Sequence, residues 1–100
     1  MIRFEWDPAK ARSNRRKHGI DFAVAQHVFC DSDALSEQDR IENGEHRWRT
    51  LGLVDGVPVL LVAHTADYDG QTEIVRVLPA RSADGKEGKR YEKERQERNG

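Results

Sequence analysis

Three largely apolar runs within residues 46–81 decide the fold of this chain: HRWRTLGLV (46–54), VPVLLVAHT (57–65) and QTEIVRVLP (71–79). Only Asp55 and Gly56 separate the first two runs. An Asp-Gly pair in this position is a strong hairpin signal, because Gly accepts the positive φ that a two-residue turn requires. The third run follows further turn residues and is rich in β-branched side chains. The stretch therefore predicts a three-stranded antiparallel meander.

The middle run is apolar at nearly every position, whereas both neighbours carry charged residues at intervals. A strand that is covered on both faces has a continuous apolar pattern, and a strand with one open face alternates. We therefore expect the middle run at the centre of the meander. Pro58 lies beside the predicted turn, where a missing backbone donor disturbs a sheet least.

The segment before the meander predicts one strand and two helices. Residues 2–6 alternate apolar and charged side chains, as in a short strand that joins the meander at an edge. Asp7 and Pro8 are typical of an N-cap and a first helical position, and Gly19 suits the end of that helix. A second helix is expected after Asp21, since the apolar residues that follow recur at spacings of three and four.

The remaining segments are polar. Residues 31–45 are acidic and turn-rich, which predicts a loop with at most a short edge strand at residues 34–36. Residues 83–98 are good helix formers with oppositely charged residues at helical spacings, which predicts a C-terminal helix. This helix has little to bury except Tyr91, so we expect roughly its last ten residues to fray without a partner.

The composition allows one domain over residues 1–100, because 36% hydrophobic residues supply a single modest core. Charged residues make up 35% of the chain but nearly cancel, to a net charge of -1, so a nucleic-acid site would need local clustering. The lone Cys30 excludes an internal disulfide and has no neighbour that would activate it as a nucleophile. No apolar run suggests a signal peptide or a membrane span, and we expect a cytoplasmic setting.

Together these patterns predict an α+β fold. Its core is a small antiparallel sheet, made of the N-terminal strand and the three-stranded meander. Two N-terminal helices and one C-terminal helix accompany the sheet.

The candidate functional residues are polar side chains around the meander. The sequence lacks metal-ligand spacings, a Gly-rich phosphate loop and a serine elbow, so we expect no metal and no cofactor. Strand pairing predicts that Arg47 lies near His64, and side-chain alternation places Arg81 after the third strand on the face opposite Arg76. For each residue taken alone, the ordinary alternative is an exposed charge paired across the sheet.

Several motifs then form one recognisable set. They are FEWDPAK (4–10), Asn14, RKHGIDF (16–22), Ala25, VF (28–29), RW (47–48), LG (51–52), RVLPARSA (76–83) and YE (91–92). This set resembles the BrnT family of toxins along nearly the whole chain, and Trp-Asp-Pro followed by Lys-His-Gly is its most specific part. The family pattern has Ala-Arg-Lys-Ala where residues 80–83 read Ala-Arg-Ser-Ala, so a cation beside Arg81 is missing.

The resemblance implies a RelE-like ribonuclease fold and the role of toxin in a type II toxin–antitoxin pair. It also implies a BrnA-like antitoxin with a ribbon-helix-helix DNA-binding region, so that DNA would be bound only through the antitoxin. RNA would be the substrate, free or on the ribosome, and translation would be inhibited. The resemblance implies neither binding to a membrane nor use of a metal ion.

RNA cleavage of this kind needs no cofactor, because the 2′-hydroxyl attacks the adjacent phosphate and the protein moves protons and stabilises charge. On this hypothesis Arg81 and Arg47 bind the scissile phosphate. The proton carrier would be His64, Glu45 or Tyr91, and His64 is favoured because its ordinary pKa is about 6.5. The residues expected to bind RNA more widely are Lys10, Arg12, Arg16, Lys17, Arg76 and Lys86.

A non-enzymatic adaptor is the alternative function. In that case the sheet would offer a platform to a partner, and the basic first helix would bind nucleic-acid phosphates. Ser82, in place of the family's lysine, favours this alternative. The two functions differ in one observable, because an adaptor can block translation without cutting RNA.

Overall fold

The computed structural model describes residues 1–54 and 57–99, apart from the side chains of Val57, Pro58 and Asn99. The elements in chain order are β1 (Ile2–Glu5), α1 (Pro8–His18), α2 (Phe22–Ala25), a 3₁₀ helix (Gln26–Cys30), β2 (Leu35–Glu42), β3 (Glu45–Val54), β4 (Val57–His64), β5 (Asp67–Asp69), β6 (Thr72–Ser82) and α3 (Gly85–Asn99). None of the described helices is long and apolar enough to cross a membrane.

The sheet is organised around the predicted meander. Its strand order is β1-β6-β4-β3-β2, and β5 pairs with β6 outside this path. Antiparallel pairing joins β3 to β4 and β4 to β6, so the meander is confirmed and β4 lies at its centre. The predicted turn at Asp55 and Gly56 lies outside the described residues.

The sheet differs from the prediction in the direction of one strand. β1 lies at an edge as expected, but it runs parallel to β6, with Ile2 opposite Glu73 and Glu5 opposite Arg76. The sheet is therefore mixed rather than wholly antiparallel. Parallel neighbours need a long connection between them, and the whole segment from α1 to β5 supplies it.

The acidic segment was predicted as a loop with a short edge strand at residues 34–36. It forms a longer edge strand, β2, of 8 residues. It pairs antiparallel with β3, which places Glu37 opposite Arg49. Opposite charges facing each other across two strands stabilise the pairing, although acidic residues have low strand propensity. The short β5 was also predicted as a turn, and it pairs with β6 from Asp67 opposite Ile74 to Asp69 opposite Thr72.

One face of the sheet, which we call the covered face, packs against α2 and the 3₁₀ helix. The buried core residues there are Phe22, Ala25, Val28, Leu60, Val62, Val77 and Ala80. Gly52 permits the close approach, since a Cβ at this position would lie 2.7 Å from the Cβ of Val28. The predicted second helix is α-helical only over its first residues, and the remainder is the 3₁₀ helix.

The first helix begins and ends as the sequence predicted. The Asp7 carboxylate accepts a hydrogen bond from the Ala9 amide at 2.8 Å, and Gly19 ends the helix with φ of 70°. Asn14 joins α1 to the sheet: its amide donates to the carbonyls of Ile20 and Ala80 at 2.9 Å and accepts from the Ala80 amide at 3.0 Å. The side chain therefore continues the hydrogen bonding of β6 where β1 has ended.

We expect Asn14→Ala to lower the free energy of unfolding by roughly 2 to 3 kcal/mol, because it leaves buried backbone groups of Ala80 without partners. Urea unfolding of both proteins measures the difference. Arg16→Ala on the exposed side of the same helix is the control, with an expected change within about 0.5 kcal/mol. Equal effects of the two substitutions would contradict the role of Asn14.

Candidate functional site

The face of the sheet opposite the covered face presents a group of charged residues, which we call the arginine face. They are Glu45, Arg47 and Arg49 on β3 and Arg76 and Arg81 on β6. Alternate residues of a strand share a face, and cross-strand partners share it too. Leu61 of β4 pairs with both Leu51 and Arg81, which places Arg81 on the same face as the odd-numbered residues of β3.

The position of Arg81 corrects the prediction from simple alternation. His64 pairs with Val77 while Val62 pairs with Ala80, so β6 contains one residue more than β4 over this interval. Such a bulge reverses the alternation along the strand. Arg81 and Arg76 therefore lie on the same face, and Arg81 lies within β6 rather than after it.

Glu45 lies between two arginines. Arg76 Nη2 donates to Glu45 Oε1 at 2.6 Å, and Arg47 Nη2 lies 3.4 Å from the same oxygen. Among the described residues, Arg47 Nε is a buried donor without a partner. This cluster thus combines two cations with one carboxylate, a composition suited to an incoming phosphate. Glu45 and Arg76 also line a cavity of about 580 Å³ at this end of the sheet.

Arg81 holds a different carboxylate. Its Nη1 and Nη2 donate to the two Glu87 oxygens at 2.8 and 2.9 Å. These bonds lower the pKa of Glu87 and raise that of Arg81. Glu87 also forms a capping box with Asp84, in which each backbone amide donates to the other side chain at 2.8 to 2.9 Å. Arg81 therefore fixes the start of α3.

Further pairs attach α3 along its length. Glu37 of β2 accepts hydrogen bonds from Arg49 Nε and Arg90 Nη1, both at 3.0 Å. The hydrogen bonds from Arg90 lower the pKa of Glu37. As a result, α3 lies against β3 and borders the arginine face.

Tyr91 was a candidate proton carrier, and the structure places it away from the cluster. Its ring is buried and its hydroxyl donates to the Asp31 carboxylate. Burial and the hydrogen bond to Asp31 raise the pKa of Tyr91 above the ordinary value of a phenol. The phenol is therefore a neutral donor that anchors α3.

His64, the favoured proton carrier, lies on the covered face. Its partner across the strands is Trp48, so Arg47 points the other way and the predicted proximity of Arg47 and His64 is wrong. The imidazole is 4% exposed, lies 2.7 Å from Thr50 Oγ1 and meets the Phe29 ring edge-on. Burial lowers the pKa of His64, which favours the neutral form. The structure therefore does not bring His64 together with the arginine face.

Only some of the other predicted RNA-binding residues line a cavity. Lys10 and Lys17 line a cavity beside Arg47. Arg12, Arg16 and Lys86 are exposed and line neither the cavity at Glu45 nor the cavity beside Arg47.

Arg49 and its partner Glu37 were missed as site residues. The spacing of Arg49 two residues after Arg47 could have indicated their common face. Across residues 1–54 and 57–99, no group of three or more His, Cys, Asp or Glu side chains is arranged to hold a metal ion.

The fold and the site define a class: a small α+β domain whose mixed sheet offers arginines and a shared carboxylate on one open face. Comparison with protein families then gives the particular family. The model described as "Ribonuclease toxin, BrnT, of type II toxin-antitoxin system" matches residues 6–87. The chain belongs to this BrnT family, as its motifs predicted.

The fold is also that of a solved relative. The crystal structure of the ribonuclease toxin BrnT from Brucella abortus superimposes with a TM-score of 0.59 at 24% sequence identity. The match covers 84% of this chain and 99% of the other. At this identity the likeness shows the fold, and the predicted α+β class is confirmed. A search among curated proteins gives no match.

Proposed function

We propose that this protein is an endoribonuclease toxin that cleaves RNA by attack of the 2′-hydroxyl, without a metal ion. Membership of a family of ribonuclease toxins supports the reaction class. The observation that carries the mechanism is the Glu45 carboxylate held between Arg47 and Arg76 on an open sheet face. Because these groups can accept a proton and bind a phosphate, they supply both requirements of the reaction.

In the proposed reaction, Glu45 accepts the proton of the 2′-hydroxyl while the 2′-oxygen forms a bond to phosphorus. The bond from phosphorus to the 5′-oxygen breaks, and that oxygen takes a proton from water. The products are a 2′,3′-cyclic phosphate and a 5′-hydroxyl. Arg47 and Arg76, which hold Glu45, stabilise the extra negative charge of the pentacoordinate phosphorus, and Arg81 binds RNA phosphate further along the same face. We leave His64 and Tyr91 out of this mechanism because both are buried.

The carboxylates on the arginine face occupy the positions that substrate phosphates would take. Arg81 binds both oxygens of Glu87, and Arg76 binds Glu45, with the geometry that arginine also uses for phosphate. We infer that RNA binding exchanges such a carboxylate partner for a phosphate. The arginines are thereby held in a productive orientation before the substrate arrives.

The partner of a type II toxin is a protein antitoxin. We propose a BrnA-like antitoxin with a ribbon-helix-helix region that covers the arginine face with acidic residues and carries any DNA binding. The charge of Arg47, Arg49 and Arg76 supports this, since complementary charge gives fast and specific association. Both proteins would act in the cytoplasm, where the RNA substrate is present.

The test of the proposed function is cleavage of a purified RNA in excess chelator, with both new ends identified. We expect cuts with 2′,3′-cyclic phosphate and 5′-hydroxyl ends, at a rate that the chelator leaves unchanged. If a divalent ion is needed to restore cutting, the metal-independent mechanism is wrong. A parallel translation extract shows whether ribosomes are required. Inhibition of translation with intact RNA would support the adaptor instead.

A further inference from the structure

A second cavity, of about 300 Å³, lies between α1 and the sheet, and we call it the α1 pocket. The residues of α1 that line it are Lys10, Ser13, Asn14, Lys17 and His18. These positions are spaced by three and four residues, so they form a single stripe along α1. Arg47 lies on the sheet side of the pocket. The volume is at the lower end of the range for ligand sites, roughly 300 to 1,000 Å³.

The charge of the α1 pocket has one sign. Lys10, Lys17 and Arg47 line it, and none of its described lining residues is acidic. Arg47 resembles the other arginines of the sheet in lying beside a carboxylate, since its Nη2 is 3.4 Å from Glu45, so the two lysines distinguish this pocket. Within the described residues, neither lysine forms an ion pair, and Arg47 Nε has no hydrogen-bond partner. Two lysines and the free Arg47 Nε–H therefore surround the cavity, and a bound anion would pair with all three groups.

The pocket adjoins the proposed cleavage site through Arg47. The same residue lines the pocket, and its Nη2 lies 3.4 Å from the Glu45 oxygen that Arg76 binds. A strand of RNA with its scissile phosphate at Glu45 and Arg76 can therefore reach the α1 pocket with a neighbouring phosphate. RNA carries a phosphate at every nucleotide, so an adjacent phosphate is available to enter.

We propose that the α1 pocket binds the phosphate next to the scissile one, with Lys10, Lys17 and Arg47 as its ligands. This inference rests on the proposed function, and it assigns a second, non-reacting phosphate site to the same substrate. A lysine binds phosphate through a single charge on a flexible side chain. Such binding is sufficient for a phosphate that is held near the site but does not react. The pocket thus contributes to the affinity for RNA rather than to the chemical step.

The test compares two double variants that remove equal charge. Lys10→Ala with Lys17→Ala removes both lysines from the pocket, and Lys89→Ala with Lys93→Ala, two exposed lysines of α3 outside the pocket, is the matched control. Binding is measured with a short 2′-O-methyl RNA, which cannot supply the nucleophile. We expect the pocket variant to bind about tenfold more weakly and the control to change less than about threefold. The slope of log K against log salt should fall by roughly 0.7 for one lost phosphate contact.

Cleavage kinetics give a second measurement. The pocket variant should raise KM with kcat unchanged, since the lost contact is made equally before and during the reaction. Equal losses in both double variants would show diffuse attraction between RNA and exposed cations and would contradict the proposed phosphate site. Unchanged RNA binding with weakened antitoxin binding would assign the pocket to an acidic side chain of the antitoxin, and would overturn it as well.

These outcomes are separate from failure of the proposed function. The 2′-O-methyl RNA measures binding whether or not the protein cuts. If the wild-type protein cuts RNA and both double variants bind it equally well, the proposed nuclease function is supported and the phosphate site in the α1 pocket is contradicted. If the wild-type protein binds RNA without cutting it, and only the pocket variant loses affinity, the phosphate site is supported and the nuclease mechanism is contradicted.

Discussion

Arg81→Ala is expected to lower kcat/KM for RNA cleavage by about 100- to 1,000-fold and to abolish growth arrest. The reason is that a bidentate contact between arginine and an RNA phosphate contributes a few kcal/mol, and its loss lowers kcat/KM. Arg81 presents both terminal nitrogens on the open face, in the bidentate orientation seen with Glu87. Initial rates on a defined RNA, together with growth of cells that express the variant, measure the effect.

The control for this experiment addresses the second role of Arg81 at the start of α3. Glu87→Gln removes the carboxylate that Arg81 binds but leaves the guanidinium in place. If Arg81 acts on phosphate, Glu87→Gln keeps cleavage near the wild-type rate or above it. If Arg81 only secures α3, both variants lose activity together. A folded Arg81→Ala protein with the wild-type rate would exclude Arg81 from the site.

Glu45→Gln is expected to reduce kcat by about 10² to 10⁴, the usual contribution of a proton-transfer residue. Glutamine keeps the size of the side chain and an acceptor for Arg76, so the fold should be retained. The affinity for RNA should stay the same or rise, because a negative charge beside the phosphate site disappears. Single-turnover rates and binding to 2′-O-methyl RNA separate the two effects.

Glu37→Gln is the matched control, since Glu37 also binds two arginines but belongs to the Arg49 and Arg90 pairs. Its substitution should change kcat by less than about threefold, because it takes no part in the proton transfer of the proposed mechanism. A comparable loss in both variants would mean that these carboxylates only arrange the arginine face. Glu45 would then not be the base.

The apolar pattern predicted the part of the fold that the core determines. The continuous apolar run of β4 placed this strand at the centre, and the capping residues Asp7 and Gly19 gave the ends of α1. These signals are local, so a single sequence contains them in full. Of β2, the sequence indicated only the start, through the short edge strand expected at residues 34–36. Its acidic remainder could not be found in this way, because its pairing depends on contacts such as Glu37 with Arg49, which are visible only once β3 is beside it.

The candidate site was predicted in composition but not in arrangement. Arg47, Arg76 and Arg81 share a face only because β6 has one extra residue opposite β4, and no apolar pattern reveals such a bulge. His64 was misplaced for a related reason. Whether a strand residue points to the core or to solvent depends on register, and a register one residue away exchanges the two faces.

Asn14 also protects the sheet from unwanted association. β1 ends at Glu5, so β6 continues beyond it with backbone groups that would otherwise form an open edge. Open edges are templates on which strands of other molecules can add. The Asn14 amide occupies both the N–H and the carbonyl of Ala80 and removes that template, while at the opposite edge the charged residues of β2 make strand addition unfavourable. Strand addition is therefore opposed differently at the two edges. At β6 the Asn14 side chain occupies the backbone groups, and at β2 the charged side chains repel an added strand.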